Sequence, residues 1–351
     1  MIDPVLQEAL LKEKLLSVGI VDADTAVTEE EREDFRQWLA EGRHGTMQWL
    51  EKYQSLRFEP RELLSGCRSI IFVALNYYQH YQKTSAEQEP SGRVARYAWG
   101  RDYHKELGKR IRRVARSLEE LFPGEQFRSW TDATPLAERY FAERAGIGFT
   151  GRHTLLINHQ YGSWFVLGEI LSTHPFPASE PARGRHGVCP SRCVRCIDVC
   201  PTGALPAPHR IDATRCISYL TIEYDGIIPE DLRPRMGEWI FGCDLCQEVC
   251  PLNVRARTTD VEGFLRPIAG DSLLLRKILA IRDEEEFRLM FAGSPLMRAR
   301  RRRLVRNACI VAANIGAREL APQIRECARD IDPIIAEHGR WALKRLESTD
   351  E

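Results

Sequence analysis

With 351 residues, 43% of them apolar and 28% charged, the chain can bury two or three ordinary cores without disulfide help, and it lacks the polar, highly charged signature of disorder. Fifty Lys and Arg balance fifty Asp and Glu, which excludes a global positive field and leaves any nucleic-acid partner to a local patch. The opening Met1-Ile2-Asp3-Pro4 resembles no export signal, and the longest apolar run, Ser69–Leu75, is too short to span a bilayer, so a cytosolic location is expected.

Apolar spacing predicts a helix over Asp3–Val18, on Val5, Leu6, Ala9, Leu10, Leu15 and Leu16. Ser69–Leu75 reads as a buried strand, His104–Leu121 and Pro135–Ala145 as helices, and Thr154–Asn158 and Ser163–Ile170 as strand-like. This mixture predicts an α/β or α+β region, closed by the proline- and glycine-rich stretch His174–Gly187. Beyond Phe264 the pattern is entirely helical, with Leu304–Ile315, Glu319–Cys327 and Ile334–Leu346 in short succession. Asp332-Pro333 suits the start of the last helix, because Asp caps free amides and proline has no donor to lose there. Such short stacked helices fit either HEAT-like repeats or a plain helical cap over the preceding region.

Eight of the eleven cysteines lie between Cys189 and Cys250, and only Cys67, Cys309 and Cys327 lie outside. The groups Cys193-x2-Cys196-x3-Cys200-Pro201 and Cys243-x2-Cys246-x3-Cys250-Pro251 each carry the core of the bacterial ferredoxin run, whose last cysteine ligates the other cluster. Crossed ligation assigns Cys189, Cys193, Cys196 and Cys250 to one [4Fe–4S] cluster and Cys200, Cys216, Cys243 and Cys246 to the other. Two four-cysteine zinc sites are the alternative, disfavoured by the duplicated Cys-x3-Cys-Pro ending. Two irregularities stand out: 26 residues separate Cys216 from Cys243, and Cys189 precedes Cys193 by three intervening residues where the usual run has two.

A two-cluster ferredoxin needs far fewer residues, so a reaction centre is expected in the N-terminal region. Gly146-Ile-Gly-Phe-Thr-Gly151 matches G-x-G-x-x-G, but it follows a helix and precedes a strand, the reverse of the order a dinucleotide site requires.

Arg96–His104, Asp132–Arg139, Ala145–Ile157, Gly162–Ile170, both cysteine groups and Cys216-Ile-Ser-Tyr-Leu220 together resemble the epoxyqueuosine reductases over nearly the whole chain. The resemblance implies reduction of epoxyqueuosine at the tRNA wobble position to queuosine, with electrons passing from an external low-potential donor through two [4Fe–4S] clusters to cobalamin. It implies three regions: a cobalamin-binding catalytic domain over 1–175, a ferredoxin-like module over 176–262 and a helical, HEAT-like region over 263–351. Asp132 matches the family's proton donor in D-x-x-P-x-x-E-R, a role a carboxylic acid can fill if burial raises its pKa; by itself Asp132 reads as a helix cap before Pro135. By family position Arg57, Ala95, Asp132, His153, Leu167, Ser218 and Asp244 surround the corrin. Where the family often has Trp-x-Gly-Lys-Asn, this chain has Phe149-Thr-Gly151-Arg152-His153, which leaves the axial ligation of cobalt open.

For tRNA the best patch is Arg298, Arg300, Arg301, Arg302, Arg303 and Arg306, which would contact phosphates; the same arginines also read as a solvated helix face balanced by Asp283–Glu286. Two other readings are a corrinoid reductive dehalogenase, which usually carries an export signal absent here, and a non-catalytic electron carrier.

Overall fold

Ser69-Ile-Ile-Phe-Val-Ala-Leu-Asn76 has no polar alternation, and such a strand is stable only when both faces are covered. The protein, a computed structural model, is described over residues 3–15, 17–81, 89–180 and 187–348. Among these residues the strands are β1 (Ser17–Asp22), β2 (Ser69–Asn76), β3 (Ser91–Val94), β4 (Phe127–Trp130), β5 (Phe149–Thr150), β6 (Leu156–Ile157), β7 (Phe165–Ser172), β8 (Trp239–Phe241) and β9 (Ser272–Leu274).

The first sheet has the order β1-β2-β7-β4, antiparallel throughout, with Ser69 opposite Ser172 and Asn76 opposite Phe165. Every residue of β2 is buried. Ile71, Val73 and Leu75 pack against the helices Pro4–Lys12 and Tyr103–Leu121, while Ile70, Phe72 and Ala74 pack on the other face against Phe141 and Ala142 of the helix Glu138–Arg144. The period-two alternation of a strand is therefore present, but between two cores instead of core and water. Burying each large aliphatic side chain contributes about 1.5–3 kcal/mol.

Several predicted boundaries move. The first helix stops at Lys12, Lys14 is left-handed (φ 57°), and the stretch up to Val18 passes into β1. Gly19 explains that switch, since a Cβ there would stand 2.1 Å from the Ala145 carbonyl oxygen, so β1 can approach only as glycine. Pro135–Ala145 is helical only over Glu138–Arg144, and Thr154–Asn158 only contributes Leu156–Ile157, paired with β5. The glycine motif joins the helix Glu138–Arg144 to β5, and Gly148 lies against the Ile157 carbonyl, a packing role consistent with the rejected dinucleotide reading. Part of His174–Gly187 lies outside the described residues.

The second sheet, β8-β3-β9, overturns the all-helical reading beyond Phe264: Ser272-Leu273-Leu274 is a strand antiparallel to β3, and β8 runs parallel to β3 on its other side. Its three strands come from the three regions read in the sequence. The core beneath it unites Val94, Ala98 and Trp99 with Phe241 and with Leu304, Val305 and Ala308 of the helix Arg300–Asn314. Residues 304–313 of that helix are all buried, which makes it the central rod of the C-terminal region. As expected, Asp332 caps the helix Pro333–Glu347, its carboxylate accepting from the Ile334 amide at 3.0 Å. No helix among the described residues is long and apolar enough to cross a membrane.

Candidate functional site

The two cysteine runs fold alike. A one-turn helix starts two residues after the first cysteine of each C-x2-C-x3-C unit, Arg195–Asp198 in one and Leu245–Glu248 in the other, and the two helices pack together. Cys196 is influenced by the charges of Cys250, Cys189 and Cys193; Cys243 by Cys216 and Cys246; and Cys246 by Cys216, Cys196 and Cys200. Each of these thiols lies near members of its expected set, Cys246 near Cys196 of the other set as well, and Cys189 lies near Cys196 and Cys250 despite its spacing. Among the described residues no three His, Cys, Asp or Glu side chains converge closely enough to hold a single metal ion.

Backbone amides point at the sulfurs. Ser218 and Tyr219 donate to Cys216, Leu245 to Cys243, and Leu252 and Asn253 to Cys250, which favours the thiolate against burial that pushes all three thiols upward. Cys216, Cys243 and Cys246 keep some solvent contact, as do Tyr103 and Glu138, and Arg139 is exposed, whereas Cys196 and Cys250 are buried.

A line of contacts runs from the second cysteine run to Asp132. Ala95 packs against Gly242, next to Cys243, and the Tyr97 ring adjoins the same glycine. Tyr97 and Tyr103 stand edge to face with centroids 6.0 Å apart, and the Tyr103 hydroxyl donates to Asp132 Oδ2 at 2.5 Å. His104 Nε2 lies 3.8 Å from the same oxygen while its Nδ1 is 2.8 Å from Asp102. Asp132 itself is left-handed (φ 48°), a strained conformation for a non-glycine residue, and its side chain is 64% exposed. It does not cap the helix Glu138–Arg144, whose N-terminus has no side-chain cap, and it lacks the burial that the proton-donor reading asked for. Burial and the adjacent Asp132 hold the Tyr103 phenol far above its ordinary range, so it stays a donor.

Asp244 occupies the turn between Cys243 and Cys246 and is buried. It accepts from the Arg96 amide at 2.8 Å and from Arg96 Nη1 at 3.3 Å; burial nevertheless pushes its pKa up to about 6. Arg96 is buried too, bonded to Glu248 at 2.9 Å, with its guanidinium 4.2 Å from the Tyr81 ring centroid and 4.7 Å from that of Trp164.

On the other side of Asp132, Arg57 Nε, Thr131 Oγ1, Glu138 Oε1, His153 Nε2 and Glu169 Oε2 are buried without hydrogen-bond partners. Burial drops Arg57 to about 10, which leaves it a cation, and drops His153 to about 4, which keeps the imidazole neutral. His153 Nδ1 accepts the Leu155 amide at 3.2 Å, so Nε2 carries the proton and presents an unpaired donor. Glu138 and Glu169 are neighbours and are both pushed upward, by burial first, while Thr134 donates to Glu169 at 2.8 Å. Leu167 is half-buried on β7 against the sheet core, and Ser218 is half-buried with its amide on Cys216. Sequence reasoning missed Tyr103 and Glu169 as individuals; the one signal for Glu169 was a lone carboxylate inside the apolar strand Phe165–Ser172.

The arginine patch needs correcting. Arg306 is fully buried and donates to the carbonyls of Leu220, Tyr224 and Gly226, so it cannot reach a phosphate. Arg301 pairs with Asp330, Arg302 with Asp332 and Asp225, and Arg303 with Asp225, whereas Asp283–Glu286 supply only a Glu284 contact to the Arg301 amide. Arg298 pairs with Glu223 yet stays 54% exposed and within electrostatic reach of Asp132 and Tyr103. Arg300 is exposed.

Paired ferredoxin-type cysteine runs packed against an α/β domain define the class of iron–sulfur proteins. Residues 189–253 match the 4Fe-4S double cluster binding domain, and residues 57–133 match epoxyqueuosine reductase QueG, DUF1730. The chain is 40% identical to the epoxyqueuosine reductase of Xanthomonas campestris over 90% of this chain and 88% of that one. A crystal structure of an epoxyqueuosine reductase with an epoxyqueuosine-modified tRNA-Tyr stem loop superposes with a TM-score of 0.87 at 28% identity, covering 97% of this chain and 89% of that one. The Bacillus subtilis enzyme, captured with its catalytic aspartate loop swung out of the active site, gives 0.85 at 29% identity, with 97% and 90% covered. This chain belongs to the epoxyqueuosine reductase family. That membership sets aside the electron-carrier and dehalogenase readings.

Proposed function

We propose that the chain reduces epoxyqueuosine in tRNA to queuosine in the cytosol, with Asp132 as the acid and the cleft between Asp132 and the inner cysteine set as the reaction chamber. The observation that carries this reading is the continuous line from Cys243 through Tyr97 and Tyr103 to Asp132. The reaction takes two electrons and two protons, breaks both C–O bonds of the epoxide in turn, and ends in an alkene and water.

The chamber's chemistry fits a cobalamin. A corrin edge carries amide donors and acceptors, and the cleft offers unpaired polar atoms of both kinds on Arg57, Thr131, Glu138, His153 and Glu169. Ala95 and Leu167 supply apolar contact, with Ser218 and Asp244 on the cluster side. The His153 tautomer fits a donor to a corrin amide better than a metal ligand. When bound, cobalamin supplies a strongly reducing metal centre, charged from the clusters, which no side chain offers.

The chain's own residues do the rest. Tyr103 holds the Asp132 carboxyl in place through the 2.5 Å hydrogen bond, and His104, oriented by Asp102, faces the same oxygen. Asp132 is exposed in the free protein, so a docked modified base would cover it and shut water away from the proton it donates. The base reaches it only if everted from the anticodon loop into the cleft. Arg298 at the mouth and exposed Arg300 are suited to phosphates, and the helices beyond residue 263 form the HEAT-like wall on which they stand.

The deciding experiment is anaerobic reconstitution with iron, sulfide and cobalamin, followed by chromatography of nucleosides from tRNA bearing epoxyqueuosine. Queuosine formation dependent on cobalamin is expected; full conversion without any corrin would remove the cofactor from the reading.

A further inference from the structure

The apolar residues next to the first cysteine set point outward. Val188, Val194 and Val254 are 71%, 38% and 80% exposed, although each is close in sequence to Cys189, Cys193 or Cys250. Beside Val254 opens a hollow of 610 Å³ whose lining includes Arg195, Val199, Val249 and Cys250 itself. Solvent-facing valines over a redox ligand cost solvation unless something covers them.

The charge around them is unbalanced. Arg192, Arg195 and Arg255 are exposed and, among the described residues, have neither an ion pair nor a side-chain hydrogen bond, and they lie together around the outer cysteines. Of the acidic groups lining the hollow, Glu248 is already neutralised by Arg93 and Arg96, which leaves Asp198 beside Arg195 in the hollow, with Arg192 and Arg255 close in sequence to Cys193 and Val254.

We propose that this face is the docking site for an acidic protein that carries a one-electron redox centre, and so the entry point for electrons. The proposal rests on the reading that the clusters feed the reduction. At each visit the carrier's centre loses one electron and the outer cluster gains it; two visits supply the two electrons that one epoxide consumes together with two protons. Complementary charge would steer and orient the carrier, and the valines would exclude water from the short gap to Cys250. RNA would also be drawn to free arginines, but valines gain nothing from phosphates, which favours a protein occupant.

A plant-type two-iron ferredoxin, an acidic one-electron carrier, and reduced methyl viologen, a small cation needing no docking, separate the possibilities. The enzyme carrying Arg192→Glu, Arg195→Glu and Arg255→Glu is assayed on epoxyqueuosine tRNA with each reductant. We expect the ferredoxin-driven kcat/KM to fall about tenfold or more and lose its salt dependence, while the viologen-driven rate and the KM for tRNA stay within about twofold. An unchanged ferredoxin-driven rate overturns the proposal, as does a raised KM for tRNA with viologen, which would make the face an RNA contact. Should the triple variant lose iron, single reversals at Arg195 and Arg255 are judged by the same criteria. Arg325→Glu, on an exposed helix elsewhere, changes neither rate. If viologen drives no conversion in the unaltered enzyme, the parent reading fails instead.

Discussion

Cys193, Cys196 and Cys200 sit in the same local frame as Cys243, Cys246 and Cys250, one-turn helix included, yet their surroundings are opposed. The first run is bordered by the exposed Val188, Arg192, Val194 and Arg195, and the exposed Val254 and Arg255 follow Cys250, the one cysteine of the second run assigned to the outer set. The second is walled by Ala95, Tyr97, the Arg96–Asp244 pair and the helix Ile217–Ile222. A motif of eight residues sets how thiols are presented; it carries no information about what they face. That is decided by segments far away in the chain, and it divides the two sets into an outer and an inner role.

The sharpest test of the division removes a ligand from each set. Cys246→Ser and Cys189→Ser should each abolish turnover and cost about half the bound iron. Full iron retention in Cys189→Ser would show that the outer set is completed by another group. Breaking the inner wall comes next: Arg96→Met strands Asp244 in a buried site and should destabilise the fold by about 3–5 kcal/mol, read from urea unfolding. The corresponding loss of an exposed arginine on the outer side, Arg195→Met, should stay within about 0.5 kcal/mol.

Asp132→Asn addresses the chemistry alone. Conversion should fall about 100-fold with iron content intact, and a normal rate would remove the acid from the inner chamber. A graded effect follows from His338, which braces the inner side by accepting the Ile228 amide at 3.2 Å and contacting the Ile334 carbonyl at 2.7 Å. Burial lowers its pKa to about 3, below the ordinary 6.5, so it favours the folded state fully above pH 6.5 and ever less as pH falls toward 3. Urea midpoints measured from pH 7 to pH 4.5 should decline, and less steeply in His338→Gln. Smallest of all, Arg300→Ala should weaken tRNA binding uniformly and reduce the salt slope by about one, while Arg306→Lys should leave that slope alone.

How much of this was legible depended on the distance over which each feature is encoded. The cysteine sets and β2 could be read because ligand identity and unbroken hydrophobicity are written in consecutive residues. Arg306 could not: it looks like five neighbouring arginines, and only the carbonyls of Leu220, Tyr224 and Gly226, some eighty residues away, make it a core residue. Glu169 likewise gains meaning only beside Glu138 and Thr134. The first helix was overextended because Leu15 and Val18 keep an apolar rhythm after Lys14 has already turned the backbone.

The sheet β8-β3-β9 has a consequence for how the molecule is made. During synthesis β3 emerges long before β8 and β9 exist, so its backbone donors and acceptors wait unpaired while the cysteines are still being translated. When β8 arrives it brings Cys243 within two residues of its end, and completing the sheet therefore closes the inner ligand set in the same event. The register of a strand in the N-terminal half and the approach of the inner cysteines are thus settled together, late in synthesis.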